Sequence, residues 1–417
     1  MSGKDLFVGI DVGTSGVRTA AIDGNRQIVA LTKAPMDGQS DARRDPHQWQ
    51  QALATSLKQL IGLIDPARIA AISVDGTSGT VLALDRNAEP VGTGLMYNDV
   101  VDDKTILASI AAAAPRESAA HGASSALARA IMLQQRSGTA RILHQADWIG
   151  ELLSDKPALT DESNALKTGY DPVARRWPEW MAQTPVRRSE LPDVVPTGTT
   201  TATTSGTFGL PSGIPLVAGV SDGCASFLAT GADEVGDGVS SLGTTLTIKL
   251  LSDRPIFAPE YGIYSHRIGN MWLAGGASNS GGGALLNHFT PEEMHALSQR
   301  IDPAKPCDLD YYPLPRPGER FPINDPALPP RETPRPADDA EFLHGLLLGI
   351  AGVEHLGYSR LAELGAPKLK SIRTVGGGAD NPVWTVLRNK LLHVPVREIL
   401  ASEAAVGSAT IALNALL

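Results

Sequence analysis

The sequence predicts an α/β protein built as two lobes, and three observations carry that prediction. Its 417 residues exceed what a single hydrophobic core covers, since such cores stop growing beyond roughly 250–300 residues. Short β-rich runs alternate with helical stretches instead of clustering, which is the order expected of sheets flanked by helices. A strand, a glycine-hydroxyl turn and a second strand occur near the N-terminus, and the same succession returns over residues 235–250.

Residues 6–11, 17–23 and 27–31 read as a β-meander whose turns are Gly13-Thr14-Ser15-Gly16 and Asp23-Gly24-Asn25. A helix is predicted over 46–64, with Asp45 as N-cap and Pro46 at the first position, where a missing N–H loses nothing. Residues 68–75 return as a strand running into Asp75-Gly76-Thr77-Ser78-Gly79, and 81–85 form the next. Helical patterning runs from 102 to 153, including 124–135 and 140–153. Thr, Ser and Gly crowd 196–213, which reads as a linker before a buried strand at 214–220. The lobe boundary falls just beyond, giving 1–229 as the N-terminal lobe and 230–417 as the C-terminal lobe. In the latter, 303–336 reads as an ordered proline-rich loop anchored by Tyr311, Tyr312 and Phe321. A helix at 338–364, a strand at 371–375, a helix at 382–392 and a strand at 394–399 follow. The closing helix, 403–417, is able to return to the N-terminal lobe.

Composition narrows the functional classes. Hydrophobic residues at 42% and charged residues at 19% are ordinary globular usage, so no long segment lacks the means to bury itself. A net charge of −9 without a Lys/Arg cluster argues against a nucleic-acid partner. Cys224 and Cys307 stand far apart, which excludes a disulfide framework or a CxxC zinc site. No apolar run nears the ~18 residues that span a bilayer, so no membrane partner is expected. The apolar run at 6–10 is too short for an export signal, and the expected location is cytoplasmic. Oligomeric state is not legible.

Three glycine turns carry the chemistry. In Asp11-Val12-Gly13-Thr14-Ser15-Gly16 a strand-end carboxylate precedes a turn whose amides and hydroxyls form an anion-binding concavity. A carboxylate beside phosphates makes sense only with a cation between them, hence Mg²⁺. Gly243-Thr244-Thr245 repeats the turn, and Gly376-Gly377-Gly378-Ala379-Asp380-Asn381 offers a third between a strand and a helix. Elsewhere no P-loop and no strand-linked Gly-x-Gly-x-x-Gly occurs.

Together these residues resemble the FGGY family of carbohydrate kinases. Its first phosphate motif is similar to 9–18, its second to 236–248 and its adenosine motif to 375–396. Gly318-Glu319-Arg320 resembles a further family loop. The resemblance implies two ribonuclease-H-like (actin/hexokinase-like) lobes with an interlobe cleft, ATP and Mg²⁺ as cofactors, and a small-molecule sugar as substrate. It makes Asp222 the catalytic base. It makes Asp11 the residue that orients the metal, and Gly13, Thr14, Ser15, Gly243, Thr244 and Thr245 the phosphate holders. Gly377, Gly378, Asn381 and Trp384 would frame the adenosine. Asp11, Ser78, Asp99 and Asp222 are the sugar-side residues.

Two departures stand out. Met96-Tyr97-Asn98-Asp99-Val100-Val101 occupies the place of the family's Trp-x-Asp-x-Arg segment but holds no arginine, and Ser221 replaces the usual histidine before the base. With the short length, these features resemble the D-ribulose kinase-like branch. The expected reaction is therefore ATP-dependent phosphorylation of the primary hydroxyl of a ketopentose such as D-ribulose, with D-xylulose or a polyol as alternatives. Two readings of another class stay open. One is an ATPase or binding protein of the same fold without sugar transfer. The other treats Gly219-Val220-Ser221-Asp222-Gly223 as a hydrolase nucleophile elbow.

Overall fold

The computed structural model describes residues 5–36, 38 and 42–417, and the chain divides into two compact units. Residues 1–4, which precede the apolar run at 6–10, lie outside the described residues. One unit comprises Met1–Ala229, His266–Gly269 and Ala401–Leu417; the other comprises Thr230–Ser265 and Asn270–Leu400.

The first unit is organised by a six-stranded sheet. Its members are β1 (Leu6–Val12), β2 (Gly16–Ile22), β3 (Ile28–Pro35), β4 (Ile69–Gly76), β9 (Thr200–Thr203) and β10 (Pro215–Val217), in the order β3-β2-β1-β4-β10-β9. Two short pairs accompany it, β5 (Val81–Leu84) with β6 (Arg141–His144) and β7 (Thr160–Asp161) with β8 (Val194–Val195). All seven residues of β1 are buried, as a central strand covered on both faces requires. β1 runs antiparallel to β2 and parallel to β4, in a register that sets Asp11 beside Asp75. In-register neighbours on parallel strands point to the same face, so two carboxylates emerge together at the strand ends.

Helix Pro46–Ile61 covers one side, begun by Asp45, whose carboxylate accepts the His47 N–H at 3.0 Å. It buries Trp49, Leu53, Leu57 and Leu60. Its Ser56 joins Thr19 and Thr32 in a hydroxyl cluster with contacts of 2.6–3.1 Å, which satisfies polar groups that the core would otherwise strand. Helix Ala404–Asn414 covers the other side. Gly9 lets its backbone approach β1, because a Cβ there would stand 1.8 Å from the Ala405 carbonyl oxygen.

A second sheet is formed by β11 (Asp237–Leu242), β12 (Leu246–Ser252), β13 (Tyr264–Ile268), β14 (Met271–Ser278) and β15 (Ser371–Val375), ordered β13-β14-β12-β11-β15. β11 is antiparallel to β12 and parallel to β15, repeating the β1/β2/β4 arrangement. Helices Asp339–Glu363 and Pro382–Leu392 are joined by a buried pair in which Arg388 donates to Glu354 at 2.6 and 2.7 Å. Such a bidentate pair fixes orientation as well as contact. Among the described residues no helix is long and apolar enough to cross a membrane.

Several elements differ from expectation. The helix expected at 140–153 opens with strand β6, and the helix proper is Gln145–Ser154. The linker at 196–213 contains β9, paired antiparallel to β10, and β10 is shorter than the expected 214–220. Residues 394–399 form no strand, only a bridge between Ile372 and Val396. The hairpin of β13 and β14 was not foreseen.

Candidate active site

The first unit's cavity is built where its parallel strands end. β1 delivers Asp11, then turns through residues 13–16, closed by the Gly13 N–H donating to the Gly16 carbonyl at 3.0 Å. β4 delivers Asp75 and turns through 77–80, closed by the Thr80 N–H donating to the Thr77 carbonyl at 3.0 Å. Asp222 opens helix Asp222–Ala229, and its Oδ1 accepts the Gly223 N–H at 2.7 Å and the Ser78 N–H at 3.2 Å. The result is a cavity of about 290 Å³ lined by Asp11, Gly13, Thr14, Ser15, Asp222, Arg18, Thr77, Tyr97, Ser226 and Ala404.

Its electrostatics are those of crowded carboxylates. Burial raises Asp11 to about 6, the Arg18 guanidinium at 3.2 Å opposes the rise, and the charge of Asp222 adds to it. Asp75 is fully buried and held well above the ordinary carboxylate range by that burial and by the charge of Asp11. Ser408, on helix Ala404–Asn414, donates to Asp75 Oδ2 at 2.5 Å. Arg18 is itself shared, with Nε 3.0 Å from Glu403. The cavity therefore carries a surplus of negative charge, the environment a hydrated divalent cation would relieve. Among the described residues no cluster of three ligating side chains surrounds it, so such an ion would rest on Asp11, water and phosphate oxygens.

The expected sugar-side residues fare differently. Ser78 is not among the residues lining the cavity; it gives its N–H to Asp222, and its Oγ is buried without a hydrogen-bond partner. Asp99 is committed: Oδ1 pairs with Arg44 at 2.7 Å and Oδ2 accepts the Met96 N–H at 2.7 Å. Tyr97, two residues earlier, is the member of that segment lining the cavity.

A second pocket, of about 530 Å³, lies within the second unit. Gly243, Thr244, Gly377, Gly378, Asn381 and Trp384 line it, with apolar walls from Leu285, Met294 and Leu347. Large apolar pockets with a few polar groups are where flat cofactors bind. Trp384 is 2% exposed and forms the floor under Gly378, where a Cβ would meet its ring at 2.5 Å. Asn381 has a structural task, accepting the Trp384 N–H at 3.1 Å as N-cap and donating to Ser298 Oγ at 2.9 Å. Thr245 does not line the pocket; its carbonyl accepts the Gly243 N–H at 3.3 Å and closes the turn.

The hydrolase alternative finds no support here. Ser221 is 1% exposed and donates to Cys224 Sγ at 3.5 Å, and among the described residues no histidine is hydrogen-bonded to it.

The FGGY family of carbohydrate kinases matches this chain twice, its N-terminal domain over residues 6–106 and its C-terminal domain over 238–416. The chain belongs to the FGGY family. A xylulose kinase of Streptomyces coelicolor is 29% identical over 272 residues, covering 60% of this FGGY chain and 55% of that protein. The chain thus spans about half the length of that curated relative. A xylulose kinase of Escherichia coli is 24% identical over 416 residues, covering 91% of this chain and 83% of its own. Among solved structures, a xyloylose kinase from Brucella ovis superposes with a TM-score of 0.84 at 22% identity, covering 98% of this chain and 90% of that one. The fold is accordingly the mixed α/β, two-domain actin/hexokinase-like fold of FGGY sugar kinases. Asp222 lies between the two matched segments, so its place rests on the geometry above.

Sequence reasoning missed Arg18, Thr77, Tyr97 and Ser226 in the first cavity. Arg18 was within reach, because pairing across the 13–16 turn sets Asp11 opposite Arg18. Tyr97 stands in the 96–101 segment singled out above, from which only Asp99 was taken as a candidate, whereas Ser226 had no local signal. The wall that helix Pro291–Ser298 gives the second pocket had none either.

Proposed function

We propose that this protein transfers the γ-phosphoryl group of ATP to the primary hydroxyl of a small sugar, a ketopentose such as D-ribulose. The observation carrying the reading is the carboxylate of Asp222, fixed by two N–H donors in one cavity with Asp11 and the hydroxyl-rich 13–16 turn. Phosphoryl transfer has a loose transition state, so positioning and charge stabilisation supply most of the acceleration. Asp222 would accept the hydroxyl proton as the oxygen–phosphorus bond forms. Thr14, Ser15 and the amides of their turn would donate to phosphate oxygens. A bound Mg²⁺, oriented by Asp11, would supply neutralisation of phosphate charge. The adenosine would lie in the second unit's pocket over Gly377 and Gly378, and the 243–245 turn would hold phosphates.

D-Xylulose is a second reading, favoured by the relatives, which are named xylulose kinases. D-Ribulose rests on the absence of an arginine after Asp99 in 96–101 and on Ser221 in place of the usual histidine. A coupled ADP-release screen over ketopentoses, polyols and aldoses, with the product's phosphorylated position read by NMR, decides between them. ADP release that no sugar accelerates would overturn the kinase reading and restore the ATPase one.

A further inference from the structure

We propose that Arg129 is a positioning residue for the first unit's cavity, fixing the two loops that carry Ser78 and Tyr97 so that Asp222 and the sugar meet in one geometry. The proposal deepens the phosphoryl-transfer reading and rests on it for its kinetic consequence.

Arg129 lies on helix Ala126–Gln134 with no exposed surface. Its guanidinium donates only to main-chain carbonyls: Nη2 to Gly79 at 2.7 Å, and Nη1 to Ser124 at 2.8 Å, Asp99 at 3.0 Å and Tyr97 at 3.2 Å. Among the described residues no carboxylate is hydrogen-bonded to it. Asp99 attracts it electrostatically, but Asp99 is already paired with Arg44. Two cations thus share one anion, and carbonyl dipoles must solvate the remainder. Burial lowers the guanidinium to about 10, still far above neutrality, so the charge persists.

Burying a charge without a paired carboxylate is costly, and packing alone would be served by an apolar side chain of the same length. What an apolar side chain cannot do is hold several carbonyls from separate loops in one plane, which the rigid guanidinium fork does. The loops it holds are those that reach the cavity. Gly79 follows Ser78, whose N–H orients Asp222, and at φ +86 its added Cβ would stand 3.0 Å from Arg129 Nη2. Tyr97 lines the cavity, and its N–H donates to Thr80 Oγ1 at 3.1 Å, which in turn contacts Thr77 Oγ1 at 2.5 Å. One side chain therefore connects the Asp222 support, Thr77 and Tyr97.

The full-length protein as Arg129→Met and Arg129→Lys tests this, with Arg136→Met as the control. Arg136 also donates to carbonyls, those of Val91 at 2.9 Å and Thr93 at 2.6 Å, but these do not line the cavity. Amide hydrogen exchange is read first, because it needs no turnover. In Arg129→Met the amides of Ser78 and Tyr97 should exchange at least about tenfold faster while β1 and β4 keep their protection. With an accepted sugar, kcat/KM should fall by roughly 10–100-fold and the KM for ATP should stay within about twofold. Arg129→Lys should recover part of both, and Arg136→Met should change neither. Unchanged exchange at Ser78 and Tyr97, a uniform loss of protection throughout the unit, or an equal kinetic loss in Arg136→Met would each overturn the proposal. If the wild type accelerates no sugar, the kinase reading fails and the exchange result alone decides the positioning role. Should Arg129→Met not fold, Arg129→Lys carries the same two readouts.

Discussion

At the scale of single residues, Asp11 shows how a site's chemistry opposes its own stability. Its native pKa, about 6, stands above the ordinary 3.8, so between those values the folded chain keeps a proton that the unfolded chain has released. Its contribution to stability is complete below pH ~4 and is lost as pH rises through about 6. Asp11→Asn should therefore raise the unfolding free energy read from urea titration at pH 7.5 by roughly 1–3 kcal/mol, and by much less at pH 4.5. The same variant should lose sugar phosphorylation; an unchanged midpoint at pH 7.5 would show that the buried charge does not strain the fold. Asp222→Ala makes the complementary case. Sugar-dependent ADP release should fall by about 10²–10⁴-fold while nucleotide binding holds, and near-normal turnover would remove Asp222 from the reaction. The Asp11 turn was legible because its chemistry is local: a carboxylate, glycines and hydroxyls within six residues. Arg129 was not, because its role comes from loops that meet only in the tertiary structure.

At the scale of elements, glycine sets how closely helix and sheet approach. Gly9→Ala would drive a methyl into the Ala405 carbonyl, and neither β1 nor the Ala404–Asn414 helix can yield without moving Asp75 and Ser408. A loss of more than about 2 kcal/mol in urea denaturation is expected, and a loss under half of that would mean the helix docks more loosely. β1 to β4 and the helix capped by Asp45 were legible, because alternating apolar runs, turn residues and a cap mark them locally. Residues 394–399 misled because they have strand composition but no ladder. The bridge is made by the Ile372 N–H to the Pro395 carbonyl at 2.9 Å and the Arg397 N–H to the Ile372 carbonyl at 2.8 Å, and Pro395 has no N–H to extend it. β6 was absorbed into the helix that follows because Ile142 and Leu143 suit either structure, and only pairing with β5 decides.

At the scale of the whole molecule, two sheets repeat one arrangement, a central strand antiparallel to its hairpin partner and parallel to a later strand. That repetition was readable in the recurring glycine turns, whereas the β13/β14 hairpin was not. Expressed alone, residues 1–229 should aggregate or bind a hydrophobic dye, since β1 and helix Asp222–Ala229 would lack the helix that covers them. Adding a peptide of residues 401–417 in trans should reduce that binding, and a soluble, dye-silent fragment would contradict this account.

The order of synthesis adds a last consequence. On the ribosome, residues 1–229 emerge first, yet one face of their sheet stays uncovered until residues 401–417 follow, after the whole second unit has been translated. The usual N-terminal-first folding order is thereby reversed, and the nascent chain must be shielded through most of its elongation. Premature termination anywhere in the second unit therefore leaves the first one unfinished.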